Sequence, residues 1–426
     1  MCFHSPQRPF PKKLQIARLL QTGFLVLLGV CAQAVLPAAV KAQDCLYVLD
    51  QLNNAVTSFR RSTNAMVTTL PIPKNDCAQP PCHPMPTSLQ LSDGAVRGYV
   101  SRQDVNLLYV LDPIGSSVTG TVAIDSGSAS VAASAAAALS PDGATLYVAN
   151  IAANSLSVID TSSRQLVKTI SVGNGPRAVA VTPDGATVFV GNSHDDNVSV
   201  VRASDGMVLT PITVGHAPAG MAVSGDGTQL YVTNDSDGKV SVIDVATRAV
   251  VDTITVGHRP RGVAFAPVGA LAYVTNVQDG TVSVINTTTR AVVGDPIAVD
   301  NGPVAIVVSD DGATAYVADL GANTISVIDT ASRAVTSIAL TGSPFDLALG
   351  VCPTATSPTP TPGAGCVGDC SGDGQVLVNE LITGVNIALG NQPVSTCPAF
   401  DPDHSGMVEI NELIAAVNNA LTGCPA

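Results

Sequence analysis

Short segments in which apolar and polar residues alternate recur along the middle of the chain at nearly constant intervals. The most regular ones begin with an aromatic residue, at positions 42 or 43 residues apart: Tyr147, Phe189, Tyr231, Tyr273 and Tyr316. Each is preceded by a polar turn, such as 140–143 (SPDG), and followed by another alternating segment, such as 240–244 (VSVID). A further strand follows a Thr/Ser-Arg turn, as at 248–256. Because a period of two is typical of β-strands, each unit predicts four short antiparallel strands.

Four antiparallel strands in a unit of about 40 residues are typical of a β-propeller blade. Two degenerate copies precede the regular ones, and the count predicts seven blades, one of them split. Residues 45–50 have no innermost strand before them, whereas 344–349 match the innermost strand 176–181 but have no blade after them. The predicted fold is an all-β, seven-bladed propeller over residues 45–350, whose first blade is closed by the N- and C-terminal strands. Such closure removes exposed strand edges.

Alignment of the split blade with an intact blade predicts a disulfide between Cys45 and Cys352. In this alignment Cys352 falls at the position of Asp184 and Cys45 at that of Thr187, on the two sides of a β-turn. The two Cα atoms should therefore lie within the roughly 4.4–6.8 Å that a disulfide allows. A bond that closes so long a loop should stabilise the ring by on the order of 4 kcal/mol. The alternative is a pair of unbonded, buried cysteines.

The segments 231–234 and 273–276 both read Tyr-Val-Thr-Asn, and 147–150 and 189–192 are close variants. With the turns and strands around them, they resemble the YVTN-type β-propeller repeat family over about residues 45–350. This resemblance implies the propeller fold and says little about activity.

A second internal repeat, with an offset of 32 residues, follows a Thr/Pro-rich linker at 353–365. Each copy has oxygen-bearing residues spaced as in a twelve-residue calcium loop, followed by an amphipathic helix. The first loop is predicted to bind through Asp369, Ser371, Asp373, the carbonyl of Gln375, and Glu380. The second is predicted to bind through Asp401, Asp403, Ser405, the carbonyl of Met407, Glu409 (directly or through water), and Glu412. We therefore expect two calcium ions; the alternative is a pair of Asx-rich turns without metal.

A calcium loop followed by its exit helix, twice, and with no helix before either loop, resembles the dockerin type I repeat over residues 366–426. In that family the module binds cohesin modules. The resemblance therefore implies a protein partner for this segment, either a cohesin-like protein or a second copy of the chain. Two features differ from the family pattern: Glu380 and Glu412 stand where dockerins usually have Asp, and four cysteines are added.

The first 42 residues have the pattern of a secretory signal peptide. Lys12, Lys13 and Arg18 precede an apolar run over 24–40, and small residues flank a cleavage site after Ala42. A retained membrane anchor is the alternative. Cleavage predicts a secreted or cell-surface protein that is not an integral membrane protein after processing.

Eight cysteines remain after removal of the leader, and an even number in an exported chain favours disulfides. Besides Cys45 and Cys352, we expect a local bond between Cys77 and Cys82; covalent haem attachment with His83 is the alternative. The last four are expected to form two bonds in one of three possible pairings: Cys366, Cys370, Cys397 and Cys424.

The charge and composition of the chain limit the classes of partner that it is expected to bind. Lys and Arg number 20 against 33 Asp and Glu, so the formal charge of −13 argues against nucleic acid as a partner. With 46% hydrophobic and 12% charged residues, the chain has the composition of a folded protein. We expect a monomeric propeller.

Basic residues lie near the predicted starts of innermost strands, where propellers place ligands at the mouth of the channel: Arg177, His216, His258, Arg259 and Arg261. One interpretation is that these residues form a ligand-binding rim. The other is that the Gly-His-Pro-like segments form the same turn that residues 173–176, Gly-Asn-Gly-Pro, form in blade four. We favour the turn. No catalytic motif is present, so no catalytic residue is assigned. The sequence favours an exported, non-catalytic binding or scaffold protein, with an exported enzyme such as a lactonase-type hydrolase or an oxidoreductase as the alternative.

Overall fold

The computed structural model describes residues 44–73, 85–92, 97–124, 134–352, 367–370, 376, 378–389, 393–401, 408 and 410–422. The chain divides into two compact units, Met1–Cys352 and Pro353–Ala426. The predictions for the leader (1–42), the linker (353–365), Cys77 with Cys82, and Cys366 with Cys424 lie outside the described residues. Within those described ranges, no helix is both long and apolar enough to span a bilayer.

Seven antiparallel sheets form the blades of the first unit. Blade one contains β1 (Asp44–Asp50), β2 (Ala55–Arg60), β3 (Ala65–Pro71) and, from the far end of the unit, β29 (Pro344–Val351). Blade two contains β4 (Pro86–Leu91), β5 (Gly98–Arg102), β6 (Leu107–Asp112) and β7 (Ser117–Ala123). Blade three contains β8 (Ser134–Leu139), β9 (Thr145–Asn150), β10 (Ser155–Asp160) and β11 (Gln165–Ser171).

The remaining blades follow the same order. Blade four contains β12 (Pro176–Val181), β13 (Thr187–Asn192), β14 (Asn197–Arg202) and β15 (Ile212–Thr213). Blade five contains β16 (Pro218–Val223), β17 (Gln229–Asn234), β18 (Lys239–Asp244) and β19 (Ala249–Thr255). Blade six contains β20 (Pro260–Phe265), β21 (Leu271–Asn276), β22 (Thr281–Asn286) and an outer edge in two pieces, β23 (Ala291–Val292) and β24 (Ile297–Ala298). Blade seven contains β25 (Pro303–Val308), β26 (Thr314–Asp319), β27 (Thr324–Asp329) and β28 (Val335–Ala339).

The ring is closed. The innermost strands touch one another in the circular order β4, β8, β12, β16, β20, β25, β29 and back to β4. Blade one is the split blade, because β29 pairs antiparallel with β1 from Asp44↔Val351 to Asp50↔Pro344. The prediction of a seven-bladed propeller with one blade shared by both ends of the repeat region is therefore confirmed.

Two further links join the ends of the ring. The Tyr47 hydroxyl donates a hydrogen bond of 2.6 Å to the carbonyl oxygen of Val351. The predicted disulfide between Cys45 and Cys352 is formed, with its Cα atoms 4.7 Å apart. Both cysteines are buried in the apolar cluster that includes Tyr47 and Leu49.

The core consists of apolar layers between neighbouring blades. The second strand of each blade is buried on both faces, as shown by Leu230, Tyr231 and Val232, none of which is exposed to solvent. Alternate side chains of such a strand pack against different neighbouring blades. This explains why the repeat has aromatic and β-branched residues in succession there.

The asparagine that ends the repeat motif fastens the second strand to the third. Nδ2 of Asn150 donates to Oγ of Ser157 at 2.8 Å, and the same bond recurs at Asn192–Ser199, Asn234–Ser241 and Asn276–Ser283 at 2.8–2.9 Å. Asp319 takes this position in blade seven and accepts from Oγ of Ser326 at 2.7 Å. Its Oδ1 is buried without a hydrogen-bond partner in the described part of the chain. Burial raises the pKa of Asp319 to about 7 despite the bonds from Ser326.

The second unit is small and helical. It contains α1 (Val378–Ala388), α2 (Ile410–Thr422) and two short 3₁₀ turns, Val394–Thr396 and Pro398–Phe400. Its core consists of Val376, Ile387, Cys397, Phe400, Val408 and Ala416. Cys370 is bonded to Cys397, which settles the pairing of two of the four cysteines that the sequence left open.

Removal of the Cys45–Cys352 bond should destabilise the propeller. For Cys45→Ser/Cys352→Ser we expect a loss of about 2–5 kcal/mol in the free energy of unfolding, because the unfolded chain regains the freedom of a very long loop. Denaturant titration of the oxidised protein measures this loss. Cys370→Ser/Cys397→Ser is the matched control, since it removes a bond of the other unit. Equal stability of the first variant and the wild type would contradict a clasping role.

Asp319→Asn should remove a pH dependence of stability. A carboxyl whose pKa is about 4 when unfolded and about 7 when folded stabilises the propeller fully at low pH. That contribution falls by about 1.4 kcal/mol per pH unit as pH rises between these values, because the unfolded state ionises first. The variant should therefore match the wild type near pH 4 and be more stable above pH 7, as measured by urea titration across pH.

The converse change, Asn276→Asp, serves as the control for the Asp319 prediction. It should make the free energy of unfolding fall with rising pH in the same way, because Asn276 makes the equivalent bond to Ser283 in blade six. An unchanged pH profile in Asp319→Asn would show that the carboxyl is not destabilising when ionised.

Candidate functional site

The innermost strands of the seven blades surround a central channel. The third residue of six of these strands is small: Ser88, Ala136, Ala178, Gly220, Gly262 and Ala305. Small residues are required because the strands approach closely; a Cβ on Gly220 would lie 1.9 Å from the carbonyl oxygen of Arg261. In blade one the third residue is instead Asp346.

A cavity of about 310 Å³ occupies the channel. Its lining is made of inner-strand residues together with Gln103 and Ile151, and among the described lining residues only Arg177, Arg261 and Asp346 carry a charge. Both arginines are the second residue of their strand, in β12 and β20, and they stand 84 positions apart, which is two repeats. The repeat register therefore places the two guanidinium groups at the same level of the channel.

The two arginines have no counter-charge bonded to them. Both are half-buried, and neither makes a hydrogen bond or an ion pair with any residue that the structure describes. Arg259, at the rim, differs because its Nε lies 3.3 Å from Oδ1 of Asp235. Burial, and then the charge of Arg177, lower the pKa of Arg261, while the charge of Asp235 acts in the opposite direction. The channel thus holds two positive charges in an environment that favours binding of an anion.

Asp346 belongs to blade one and lines the same cavity as these arginines. Its Oδ2 accepts a hydrogen bond of 2.8 Å from the backbone N–H of Leu89 in blade two, and its Oδ1 accepts one of 2.9 Å from Leu347. Burial raises the pKa of Asp346 to about 6, although these bonds and one from Ser88 act in the opposite direction. Sequence reasoning missed this residue; the available signal was a charged side chain at a repeat position that is small in every other blade.

The two predicted histidines do not line the cavity. In His216 the backbone N–H and Nδ1 pair with the Asp237 carboxylate at 2.7 and 2.8 Å, and His258 pairs with Asp279 at 2.7 and 2.9 Å. Asn174, one repeat earlier, binds Asp195 in the same way, at 2.7 and 2.9 Å. The geometry therefore gives each histidine the role of a turn residue.

The histidine side chains also face solvent. They are 72% exposed in His216 and 76% exposed in His258. The hydrogen bond that His216 makes to the Asp237 carboxylate, then the charges of Asp237 and Asp196, raise the pKa of His216. Of the five basic residues predicted near the channel mouth, the structure brings Arg177 and Arg261 together in the cavity lining, whereas His216, His258 and Arg259 do not line it.

In the second unit, buried carboxylates lie where the predicted calcium loops would begin and end. Glu380, Asp401 and Glu412 are only 4–6% exposed, and residues 366–426 contain no Lys or Arg. The backbone N–H of Cys370 donates to Oε1 of Glu380 at 3.0 Å. Buried carboxylates need a cation or several donors, so these residues fit a bound calcium ion.

Of the other predicted loop ligands, one lies within the described residues. Asp369 is described and half-buried, whereas the remaining ones lie outside the described residues: Ser371, Asp373, Gln375, Asp403, Ser405, Met407 and Glu409. Within the described residues, no three His, Cys, Asp or Glu side chains come together as a metal site.

Comparison with known proteins supports the fold. A family model described as "Lactonase, 7-bladed beta-propeller" matches residues 101–213. A solved structure titled "Kuenenia stuttgartiensis Hydrazine Synthase" is similar over 61% of this chain and 88% of that chain, with a TM-score of 0.53 and 22% sequence identity. Similarity at this level of identity shows a common fold only. A comparison with curated protein sequences found no match.

Proposed function

We propose that this chain is an exported, non-catalytic binding protein whose propeller holds a small organic or inorganic anion in its central channel. One observation carries the proposal: Arg177 and Arg261 are half-buried in one cavity, and neither is paired with an acidic side chain among the described residues. Two like charges placed together away from water destabilise a fold unless a ligand neutralises them.

The chemistry of the side chains supports the same class of ligand. A guanidinium group presents a planar set of donors that matches a carboxylate or a phosphate. The cavity of about 310 Å³ is within the usual range for small-molecule sites. The chain as a whole has a formal charge of −13, so a positive channel is a local feature rather than a consequence of composition.

The second unit is proposed to bind two calcium ions. Asp369 and Glu380 would hold the first ion, and Asp401 and Glu412 the second, together with the other predicted loop residues. Calcium would neutralise the buried carboxylates and order the loops around them. Support comes from the burial of Glu380, Asp401 and Glu412 in a segment without basic side chains. Export is supported by the disulfides of both units.

The helices of this unit are proposed to attach the propeller to another protein. Each helix leaves large apolar side chains exposed at positions 32 residues apart: Ile382 (58%) with Ile414 (55%), and Val385 (46%) with Val417 (43%). Exposed apolar residues at matching positions favour a protein partner, either cohesin-like or a second copy of the chain.

Lactone hydrolysis is the second candidate, and the family model that matches residues 101–213 favours it. In that case Arg177 and Arg261 would stabilise the negative charge that develops on the carbonyl oxygen, and Asp346 would activate water. His216 and His258 would take no part, because they do not line the cavity.

Anion binding should depend on both channel arginines. We expect Arg177→Gln and Arg261→Gln each to weaken binding of succinate or inorganic phosphate by at least about tenfold, because each removes a charge-assisted bidentate contact. Isothermal titration calorimetry measures the affinities. Arg202→Gln is the matched control, since it removes the same charge from an exposed ion pair with Asp205.

The outcome of these titrations separates the two candidates. Binding that is absent, or that is unchanged in both channel variants, would contradict the proposed function. Ring opening of a lactone by the wild type, followed with a pH-stat and lost in the same variants, would establish the hydrolase instead.

Calcium should bind to the second unit with a stoichiometry of two. Equilibrium dialysis of the full chain should show two ions, and Glu380→Gln or Glu412→Gln should each remove one, because the bidentate ligand at the end of the loop is lost. Asp205→Asn, on the propeller surface, should leave both ions bound. A stoichiometry of zero would leave the acidic turns without metal. Light scattering of the same samples, with and without chelator, distinguishes self-association from docking on a different protein.

A further inference from the structure

The channel has two poles of opposite charge. Arg177 belongs to blade four and Arg261 to blade six, so blade five lies between them. In a ring of seven blades, blades four and five are the ones opposite blade one, which carries Asp346. Blade six is two blades from blade one, so Arg177 lies nearly opposite Asp346 and Arg261 lies to one side, around the cavity that all three of them line.

The charges at the two poles do not neutralise each other. Neither arginine forms an ion pair with Asp346, and no basic side chain among the described residues does so. The groups that shift the pKa of Asp346 are its buried surroundings and three hydrogen-bond donors, with no contribution from either arginine. The cavity of about 310 Å³ that these three residues line leaves room for a small ligand.

Asp346 is also held in a fixed orientation. Leu89 donates to one of its oxygens and Leu347 to the other, so the carboxylate has lone pairs left for a further donor. Between the poles, Phe345 and Ile306 contribute apolar surface to the lining. The cavity thus presents an anion-binding end, an apolar wall and an acceptor end.

We propose that the ligand is a zwitterion, with its anionic group on Arg177 and Arg261 and its ammonium group on Asp346. This inference rests on the proposed function, because it assigns the second pole of the same site. The ligand class is a small amino carboxylic acid or its phosphonate equivalent, in which a short apolar chain separates the two charges. An ammonium group is favoured over a hydroxyl because only the ammonium group carries the positive charge that would neutralise the Asp346 carboxylate.

The test uses the length of the ligand as a ruler. Wild-type protein is titrated calorimetrically with straight-chain ω-amino carboxylic acids of increasing length, and with the alkanoic acids and ω-hydroxy acids of the same lengths. At one length the amino acid should bind at least about tenfold more tightly than the matching alkanoate, because only it reaches both poles. Asp346→Asn should remove this advantage and bind the alkanoate at least as tightly as the wild type does, because it removes a negative charge from the cavity.

Asp346→Asn keeps an oxygen acceptor for Leu89, and its unfolding curve verifies that the ring is intact. Equal affinity of wild-type protein for amino and plain acids at every length would overturn the zwitterion and leave the anion site standing. An equal gain from a hydroxyl group would overturn the ammonium assignment. Absence of any arginine-dependent binding would overturn the proposed function as well.

Discussion

Antiparallel pairing of β1 with β29 is the interaction on which the rest of the first unit depends. The two strands come from opposite ends of the unit, and their pairing runs the full length of β1. Only when this sheet forms do β29 and β4 meet and complete the circle of innermost strands. The entropy lost in closing so long a loop is large, which gives the Tyr47 hydrogen bond and the buried disulfide a clear role.

Closure also creates the channel site, because its charged residues come from blades that are far apart in the sequence. Repetition supplies the frame: small third residues let the inner strands approach, and the Asn–Ser bonds fix the second strand to the third. Departures from the repeat supply the chemistry. Arg177, Arg261 and Asp346 replace residues that are small or uncharged at the same positions in other blades.

The sequence predicted the fold well because alternation and spacing directly encode strands and blades. It predicted the ring clasp because the split blade could be aligned with an intact one. It favoured a turn for the segments that contain the histidines, but it did not identify the partners Asp237 and Asp279, which lie 21 residues further along and meet the histidines only in the folded turn. Asp346 was missed for a related reason: it shares a cavity with the arginines only after the last strand has joined the first.

The sequence pattern also did not predict how short the outermost strands of two blades are. The fourth strand of blade four is only Ile212–Thr213, and that of blade six is divided into Ala291–Val292 and Ile297–Ala298. Pro211 and Pro296 immediately precede the surviving pieces, and proline cannot donate to a strand ladder. Among the four cysteines of the second unit, only three-dimensional proximity could choose the Cys370–Cys397 pair.

Because the inner strands are equivalent, the charged side chains that line the channel could be placed on other blades without changing the fold. Arg177 and Arg261 occupy the same register position as Ala219, whose strand lies between theirs. Moving an arginine from one blade to the same position in the next would shift the proposed anion-binding end by one seventh of a turn around the channel. The hydrogen-bonded sheet of each blade would be unchanged. A family of receptors with different ligand geometries is therefore accessible from a single ring by substitutions at the second and third inner-strand positions.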